Sequence, residues 1–175
     1  TQRSGSSTLQ APKSLFQAEL LAKHGLKPLN TAQMDAMVAV AQVTNGQCVL
    51  VAADPGMGKT LTVLFPSSLA PGILVYVIPY CSLAISLVAR YSAMGFKCRR
   101  FSANLNEFDT TSWAPGGARS SGFANGEAEF IFCTTDSLMN DNFMQFLRGA
   151  RFAGALKLIV FDEAHQLLLS STYRV

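Results

Sequence analysis

The sequence predicts an α/β fold, with a mostly parallel sheet and helices on both faces of that sheet. Apolar runs of about five or six residues alternate with segments of helical periodicity, which is typical of parallel β-α units. Charged residues make up only 14% of the chain, against about 25% in ordinary soluble domains, as expected for strands buried on both faces. A glycine-rich turn follows one apolar run and two carboxylates follow another. This placement predicts a ligand site at the carboxyl edge of the sheet.

Two helices are expected before the first strand. Residues 1–11 are rich in Ser, Gly, Thr and Gln and are predicted to be a disordered tail. The capping-box pattern Ser14-Leu15-Phe16-Gln17 opens a helix that ends before Gly25. A second helix is predicted from about Thr31 to Val43, because Asn45-Gly46 stops it. Residues 12–175 are expected to form one domain.

Strands and helices then alternate along the rest of the chain. The predicted strands are Cys48–Ala52, Ile73–Ile78, Lys97–Ser102, Phe130–Thr134 and Leu156–Phe161. The predicted helices run from Lys59 to about Phe65, from Ser82 to Met94 and over about Ser137–Leu147. Residues from Ala103 to Gly126 are expected to form a long surface connection. Within it, Trp113 either covers the sheet edge or is an exposed stacking residue.

Composition argues against a membrane span and against a zinc site. No charged residue occurs from Thr60 to Ala89, but Pro66, Pro71 and Pro79 divide this stretch, so no apolar helix of about 20 residues remains. The four cysteines are widely spaced, which predicts buried free thiols rather than metal ligands. Nothing resembles a secretory signal, which favours an intracellular protein.

The segment Ala53-Asp54-Pro55-Gly56-Met57-Gly58-Lys59-Thr60 is predicted to be a phosphate cradle. A glycine-rich turn between a strand and a helix directs several backbone N–H groups and the positive end of the helix dipole at one point, which suits a polyphosphate. Gly56 and Gly58 allow the backbone to curl around the phosphates. Lys59 is expected to reach the β- and γ-phosphates, and the Thr60 hydroxyl to ligate Mg²⁺.

The segment Asp162-Glu163-Ala164-His165 follows the last predicted strand. Asp162 is expected to hold Mg²⁺, and Glu163 to polarise the attacking water. His165 would sense the γ-phosphate. Alone, the tetrapeptide is equally compatible with an ordinary helix start. With the phosphate cradle upstream, it predicts the metal-binding half of an ATP-Mg²⁺ site.

These two segments resemble the motifs of the first RecA-like domain of a superfamily 2 helicase, a P-loop NTPase fold. The residues between them resemble the RecQ branch, since Ile78–Leu83 is similar to motif Ia and Pro66 matches a helix-ending proline. Thr134–Leu138 stands at the position of motif Ib, with a different sequence. Gln33 is similar to the adenine-reading glutamine of the family, although Asn30 stands where RecQ helicases usually carry an arginine.

The resemblance implies ATP-driven, 3′-to-5′ DNA unwinding, with ATP and Mg²⁺ as cofactors, a single strand or fork as the partner, and the nucleus as the location. It makes Ser82, Thr134 and Thr135 candidates for contacts with the single-strand backbone, with ordinary helix capping as the alternative. The basic strand end around Lys97, Arg99 and Arg100 is either a solvated face or a patch that faces DNA.

The chain is expected to be the N-terminal ATP-binding half of such a helicase. The family's second RecA-like domain, which supplies arginine fingers, has no counterpart in these 175 residues, so negligible ATPase is expected from them alone. Gln166–Ser170 stands where RecQ proteins carry an aromatic-rich coupling loop, so that element is absent, altered or beyond Val175. Two alternatives stay open: a non-catalytic nucleotide- or DNA-binding remnant, and an RNA helicase of the DEAD/DEAH type.

Overall fold

The computed structural model describes residues 10–28, 30–44, 46–54, 56–101, 128–152 and 154–164. The chain divides into two units, one ending at Leu69 and the other beginning at Ala70. The described elements are α1 (Gln10–His24), α2 (Thr31–Ala41), α3 (Lys59–Ser68), β1 (Gly72–Ile78), α4 (Cys81–Ala93), β2 (Cys98–Arg100), β3 (Ala128–Thr134), a 3-10 helix (Thr135–Met139), α5 (Asp141–Phe152) and β4 (Leu156–Phe161).

In the described part of the first unit, regular structure is helical. Its core consists of the fully or nearly buried side chains Leu20, Met34, Met37 and Phe65, which come from all three helices. The ring of Phe16 packs edge-on against that of Phe65, with 6.1 Å between centroids. This packing anchors α3, the helix that opens at Lys59. Helix α1 begins at Gln10, before the predicted capping box, while residues 1–9 lie outside the described part.

The predicted strand at Cys48–Ala52 is wrong for this structure. Its residues belong to no helix or strand, and four of the five are exposed. The Leu50 side chain is 85% exposed. A strand is stabilised by a neighbouring strand, and the described residues of the first unit provide none. An apolar run alone therefore did not suffice to predict a strand.

The prediction that Pro66 ends its helix is also wrong. Helix α3 continues to Ser68, and Pro66 is buried inside it. A proline removes one hydrogen bond to the carbonyl four residues earlier. Helix α3 nevertheless continues for two residues beyond Pro66, and Ser68 Oγ donates a hydrogen bond of 2.7 Å to the Phe65 carbonyl oxygen in this last turn.

The second unit contains a four-stranded, all-parallel sheet in the order β2-β3-β1-β4. Strand β1 is buried along its whole length, as expected for a central strand covered on both faces. Its residue Ile78 pairs with Thr134 of β3, so these two strands end at the same level. The structure thus confirms the predicted α/β class, and β1, α4 and β4 lie within one residue of their predicted bounds.

Helices cover both faces of this sheet. On one face, Val75 and Ile131 pack against the α5 side chains Phe143, Phe146 and Leu147. On the other face, Tyr76 lies 5.4 Å from Phe132 between ring centroids, and Phe130 contacts Phe96 beyond the end of α4. Alternate residues of each strand therefore enter two separate apolar layers.

Strand β4 departs from the prediction of a buried strand. Ile159 and Phe161 are 40% and 44% exposed, since β4 lies at the edge of the described sheet and pairs with β1 only. Strand β1 approaches the β4 side closely at Gly72: a Cβ placed on Gly72 would overlap with Lys157 Cγ and would lie 2.9 Å from the Ala155 carbonyl oxygen. A glycine at residue 72 is therefore required for the approach of β1 to the β4 side.

The helix predicted at Ser137–Leu147 is two elements, the 3-10 helix and α5. Asn140 lies between them in extended conformation, with φ −87° and ψ 121°. Its Oδ1 accepts a hydrogen bond of 3.1 Å from the Phe143 N–H, so it caps α5. The predicted connection from Ala103 to Gly126, with Trp113, lies outside the described residues.

The four cysteines are free thiols, but not all are buried as predicted: Cys48 and Cys81 are exposed, Cys98 is half-buried and Cys133 is buried. Burial raises the pKa of Cys133 from its ordinary value of 9.0 to about 12. Burial also raises the pKa of Cys98 to about 12, against the opposing effect of a hydrogen bond with Ser92. Within the described residues, no helix is long and apolar enough to cross a bilayer.

Candidate nucleotide-binding site

The glycine-rich loop predicted to bind phosphates turns at two glycines. Gly56 and Gly58 both lie in the left-handed region, with φ of 83° and 70°, which residues with a side chain rarely adopt. The Met57 N–H donates a 3.3 Å hydrogen bond to the Asp54 carbonyl oxygen and closes the turn. A Cβ placed on Gly56 would meet no atom within 4 Å, so the space beside the loop is open. Pro55 lies outside the described residues.

Helix α3 begins directly at Lys59, with Gly58 as its N-cap. Because glycine has no side chain to accept hydrogen bonds from the first turn, the leading N–H groups of this helix suit an external anion. Lys59 Nζ donates a hydrogen bond of 3.1 Å to the Ala53 carbonyl oxygen across the loop. The ammonium group of Lys59 therefore lies against the loop, at hydrogen-bond distance from Ala53. Thr60 follows within the first turn and is half-buried.

Gln33 contacts this loop from α2. Its side chain is only 5% exposed, and Nε2 donates to the carbonyl oxygens of Met57 and Gly58 at 3.3 and 3.5 Å. The Gly58 carbonyl also accepts hydrogen bonds from Thr62, at 3.1 Å from its N–H and 3.2 Å from its Oγ1. The residue predicted to read the base is thus joined to the backbone that is predicted to hold the phosphates.

Asn30 has a role that the sequence reasoning missed. It is the N-cap of α2, and its Oδ1 accepts a hydrogen bond of 2.8 Å from the Gln33 N–H. An asparagine directly before a predicted helix is a recognisable capping signal. Asn30 therefore fixes the start of the helix that carries Gln33, at the position where the RecQ resemblance leads one to expect an arginine.

The paired carboxylates stand at the carboxyl end of β4. The Asp162 N–H donates a hydrogen bond of 2.8 Å to the Val77 carbonyl oxygen, which extends the pairing of β4 with β1 by one residue. Asp162 Oδ1 accepts a hydrogen bond of 3.1 Å from the Glu163 N–H. Both side chains are half-buried. The sheet thus holds the backbone of Asp162, and the turn at Glu163 holds its carboxylate.

Glu163 is the one described residue other than glycine with positive φ, at 50°. A left-handed conformation costs a residue with a side chain about 1–2 kcal/mol, and such strain is found preferentially at functional sites. The conformation turns the chain sharply after Asp162. Ala164 is the last described residue, and the candidate His165 lies outside the described part.

The candidate nucleic-acid residues lie at the same edge of the sheet as Asp162. Ser82 is the second residue of α4 and is exposed, and no side chain caps that helix at its N-cap residue, Tyr80. Thr134 is instead part of a capping box: its N–H donates to Ser137 Oγ at 3.2 Å, and the two hydroxyl groups lie 3.3 Å apart. Thr135 follows, half-buried.

The structure therefore brings the predicted residues together in two groups. Within the first unit, Gln33 contacts the loop that carries Gly56, Gly58, Lys59 and Thr60. Within the second unit, the carboxyl edge of one sheet carries Asp162, Ser82 and Thr134. The packing of α3 positions the first group. The pairing of adjacent parallel strands positions the second.

A comparison with protein families identifies the family of this chain. The family model for the DEAD/DEAH box helicases matches residues 31–174. The match includes Gln33, the glycine-rich loop and Asp162-Glu163. A search of curated proteins finds no match to the chain. Because the family model covers most of the sequence, the chain belongs to the DEAD/DEAH box helicase family and carries its ATP-binding, RecA-like helicase domain.

Proposed function

We propose that this chain is the first RecA-like domain of a RecQ-like DNA helicase, which binds Mg-ATP and single-stranded DNA and drives 3′-to-5′ unwinding. The conformation of the loop carries the nucleotide part of the proposal. Positive φ at Gly56 and Gly58, an uncapped helix start and Lys59 beside the loop together suit a polyphosphate. The resemblance of Ile78–Leu83 to motif Ia supports the RecQ part of the proposal.

The two groups of residues divide the chemistry between them. The backbone around Gly56 and Gly58 binds phosphate oxygens, and Lys59 exchanges the Ala53 carbonyl for the β- and γ-phosphates. Thr60 and Asp162 have the oxygen ligands that Mg²⁺ prefers. The metal, when bound, neutralises charge on the phosphates. Glu163 is the group that orients and deprotonates the attacking water, and His165 would sense the γ-phosphate.

Gln33 links recognition of the base to the phosphate loop. Its amide already contacts the Met57 and Gly58 carbonyls. A base that hydrogen-bonds to this amide would therefore change the contacts that the amide makes with the loop. Asp54, Pro55 and Met57 complete the stretch of loop proposed to surround the nucleotide. The 175 residues are proposed to bind ATP with negligible turnover, since arginine fingers in this fold family come from a second RecA-like domain.

Isothermal titration calorimetry with Mg-ATP tests the nucleotide site. We expect Lys59→Ala to weaken binding at least tenfold, because a hydrogen bond from a charged group contributes about 1.5–3 kcal/mol. Lys23→Ala is a matched control, since Lys23 lies in the same unit and pairs with Glu19 at 3.0 Å on the surface of α1. Binding that Lys59→Ala leaves unchanged, or that Lys23→Ala weakens equally, would contradict the proposal.

A comparison of DNA and RNA tests the choice of substrate. With the full-length natural protein, we expect single-stranded DNA to stimulate ATP turnover more than single-stranded RNA of the same sequence. Stronger stimulation by RNA would instead identify an RNA helicase of the DEAD/DEAH type. Stimulation by neither, with Mg-ATP binding intact, would favour a non-catalytic binding module.

A further inference from the structure

Met57 is held by contacts with the start of α2 as well as by its own turn. Its carbonyl oxygen accepts the 3.3 Å hydrogen bond from Gln33 Nε2, and its N–H donates to the Asp54 carbonyl oxygen at 3.3 Å. Its Sδ lies 3.9 Å from Asn30 Nδ2. The backbone and the sulfur of one residue in the glycine-rich loop therefore both contact the beginning of α2.

The orientation of the Asn30 amide is fixed by the helix that it caps. Asn30 Oδ1 accepts a hydrogen bond of 2.8 Å from the Gln33 N–H, so the NH₂ end of the amide faces the sulfur of Met57. A thioether sulfur is only a weak acceptor, and 3.9 Å is long for a hydrogen bond. A good donor is therefore directed at a poor acceptor.

One oxygen atom on this sulfur would turn the contact into a stronger hydrogen bond. Oxidation to the sulfoxide makes a methionine side chain polar, because the new oxygen carries partial negative charge. A bent S–O···H–N arrangement with about 2.9 Å between oxygen and nitrogen spans the observed 3.9 Å between Sδ and Nδ2. Asn30 and Met57 therefore already stand at the separation that a sulfoxide requires.

Met57 is also the methionine of the first unit that an oxidant can reach. It is half-buried, and a Cβ placed on the adjacent Gly56 would meet nothing within 4 Å, so the space beside this turn is open. Met34 and Met37 belong instead to the core of the same unit, with exposed fractions of 6% and 0%. Because susceptibility to oxidation follows exposure, Met57 should react first.

We infer that Met57 is a site of reversible oxidation to methionine sulfoxide, and that Asn30 binds the sulfoxide oxygen. The sulfur lone pair attacks one oxygen of hydrogen peroxide, and the O–O bond breaks as the S–O bond forms. The other oxygen leaves as water, which takes both protons of the peroxide. The sulfur loses two electrons and the peroxide gains them, so the co-reactant is a two-electron oxidant of the peroxide class.

The sulfoxide should weaken nucleotide binding, a consequence that rests on the proposed function. When a nucleotide binds, Lys59 exchanges its contact with the Ala53 carbonyl, and Gln33 changes its contacts with the loop. A stronger contact between Met57 and Asn30 holds the loop against α2 and opposes both changes. One added hydrogen bond corresponds to about twofold to tenfold in affinity.

Peptide mass spectrometry after graded treatment with hydrogen peroxide tests the modification itself. We expect sulfoxide at Met57 before it forms at Met34 or Met37, which are buried. Calorimetry with Mg-ATP on the same samples tests the consequence. The affinity should fall about twofold to tenfold as Met57 becomes oxidised, and methionine sulfoxide reductases for both epimers should restore it.

Three variants, each compared before and after the same treatment, assign the loss to this contact. Met57→Leu has no sulfur at this residue, so its own affinity should not change. Met139→Leu is the matched control, because Met139 is 79% exposed and lies in the second unit; it should lose affinity as wild type does. Asn30→Asp keeps an oxygen that caps α2 but has no donor for the sulfoxide, so its loss should be smaller than that of wild type.

The inference is overturned if Met57 is oxidised no faster than Met34 and Met37. It is also overturned if complete oxidation of Met57 leaves the affinity unchanged, or if Met57→Leu loses as much affinity as wild type. An equal loss in Asn30→Asp would overturn the role of Asn30. In all these cases untreated wild type still binds Mg-ATP, and the proposed function stands. If untreated wild type binds no Mg-ATP, the nucleotide part of the proposed function fails, while selective oxidation of Met57 would still support the modification.

Discussion

Two apolar runs of the same kind have different outcomes in this molecule. Gly72–Ile78 is a strand whose seven residues are all buried, whereas Cys48–Ala52 is exposed and forms no strand. Both runs are rich in β-branched and aliphatic residues, so composition does not separate them. The difference is that β1 has a parallel neighbour on each side. A strand is therefore a property of its neighbours as much as of its own sequence.

The loop that follows the exposed run nevertheless has two glycines of positive φ and leads directly into a helix. Its shape depends on Gly56 and Gly58, on the start of α3 and on the contact with Gln33. The two glycines and the helix start are local features, and the contact with Gln33 lies within the unit formed by helices α1, α2 and α3. The loop does not require the preceding run to be paired, so the wrong prediction at Cys48–Ala52 does not extend to the turn at Gly56 and Gly58.

Two leucines test the comparison most strongly. We expect Leu74→Ala to lower the free energy of unfolding by about 2–5 kcal/mol, because Leu74 is buried in the sheet. Leu50→Ala should change it by no more than about 0.5 kcal/mol, since Leu50 is 85% exposed. Chemical denaturation measures both. A loss from Leu50→Ala as large as that from Leu74→Ala would mean that the Cys48–Ala52 run is buried in the folded protein.

Substitutions at two glycines should also lower the free energy of unfolding, by less than Leu74→Ala. Gly72 and Gly46 both have positive φ, at 140° and 83°. A Cβ at residue 72 would collide with Lys157 and Ala155, whereas one at residue 46 would meet nothing within 4 Å. We expect Gly72→Ala to cost about 2–4 kcal/mol and Gly46→Ala about 1 kcal/mol, the latter for backbone strain alone. Equal losses in denaturation experiments would show that the contact between β1 and the β4 side is looser than described.

The ionisation of two thiols, Cys133 and Cys48, gives a pH-dependent test of the comparison between the buried strand and the exposed run. In the unfolded chain Cys133 ionises near its ordinary pKa of 9.0, while burial keeps it protonated in the folded state up to about 12. Between these values the folded state holds a proton that the unfolded state has lost, so its stability falls as pH rises above 9. The melting temperature should decline less steeply in this range for Cys133→Ala than for wild type.

Cys48 provides the control for the pH experiment, because it is exposed in the Cys48–Ala52 run. Cys48→Ala should leave the decline of the melting temperature unchanged. At pH 8, Cys48 and Cys81 should also react faster with a thiol reagent than Cys133, since only the exposed thiols are accessible. Rapid modification of Cys133 in the native protein would contradict its place in the core.

The sequence predicted what local signals determine. Helix α4, strands β1 and β4 and the glycine loop were predicted from apolar runs, the glycine after α4 and motif spacing. It did not predict that Asn140 divides a helix from the 3-10 turn before it, because a single capping hydrogen bond decides that. Nor did it predict the exposed side of β4 or the unpaired Cys48–Ala52 run, since both depend on which strands lie next to one another.

We propose that nucleotide binding depends on Gln33 and Lys59 acting through the same loop of the first unit. Gln33 Nε2 donates to the Met57 and Gly58 carbonyl oxygens, and Lys59 Nζ donates to the Ala53 carbonyl oxygen at the start of that loop. A double-mutant cycle of Gln33→Ala and Lys59→Ala measures their coupling directly, with Mg-ATP affinity determined by calorimetry. We predict that each variant lowers the affinity, and that the two effects depart from additivity by about 0.5–3 kcal/mol. Additive effects, or a Lys59→Ala variant whose affinity equals that of wild type, would contradict the account.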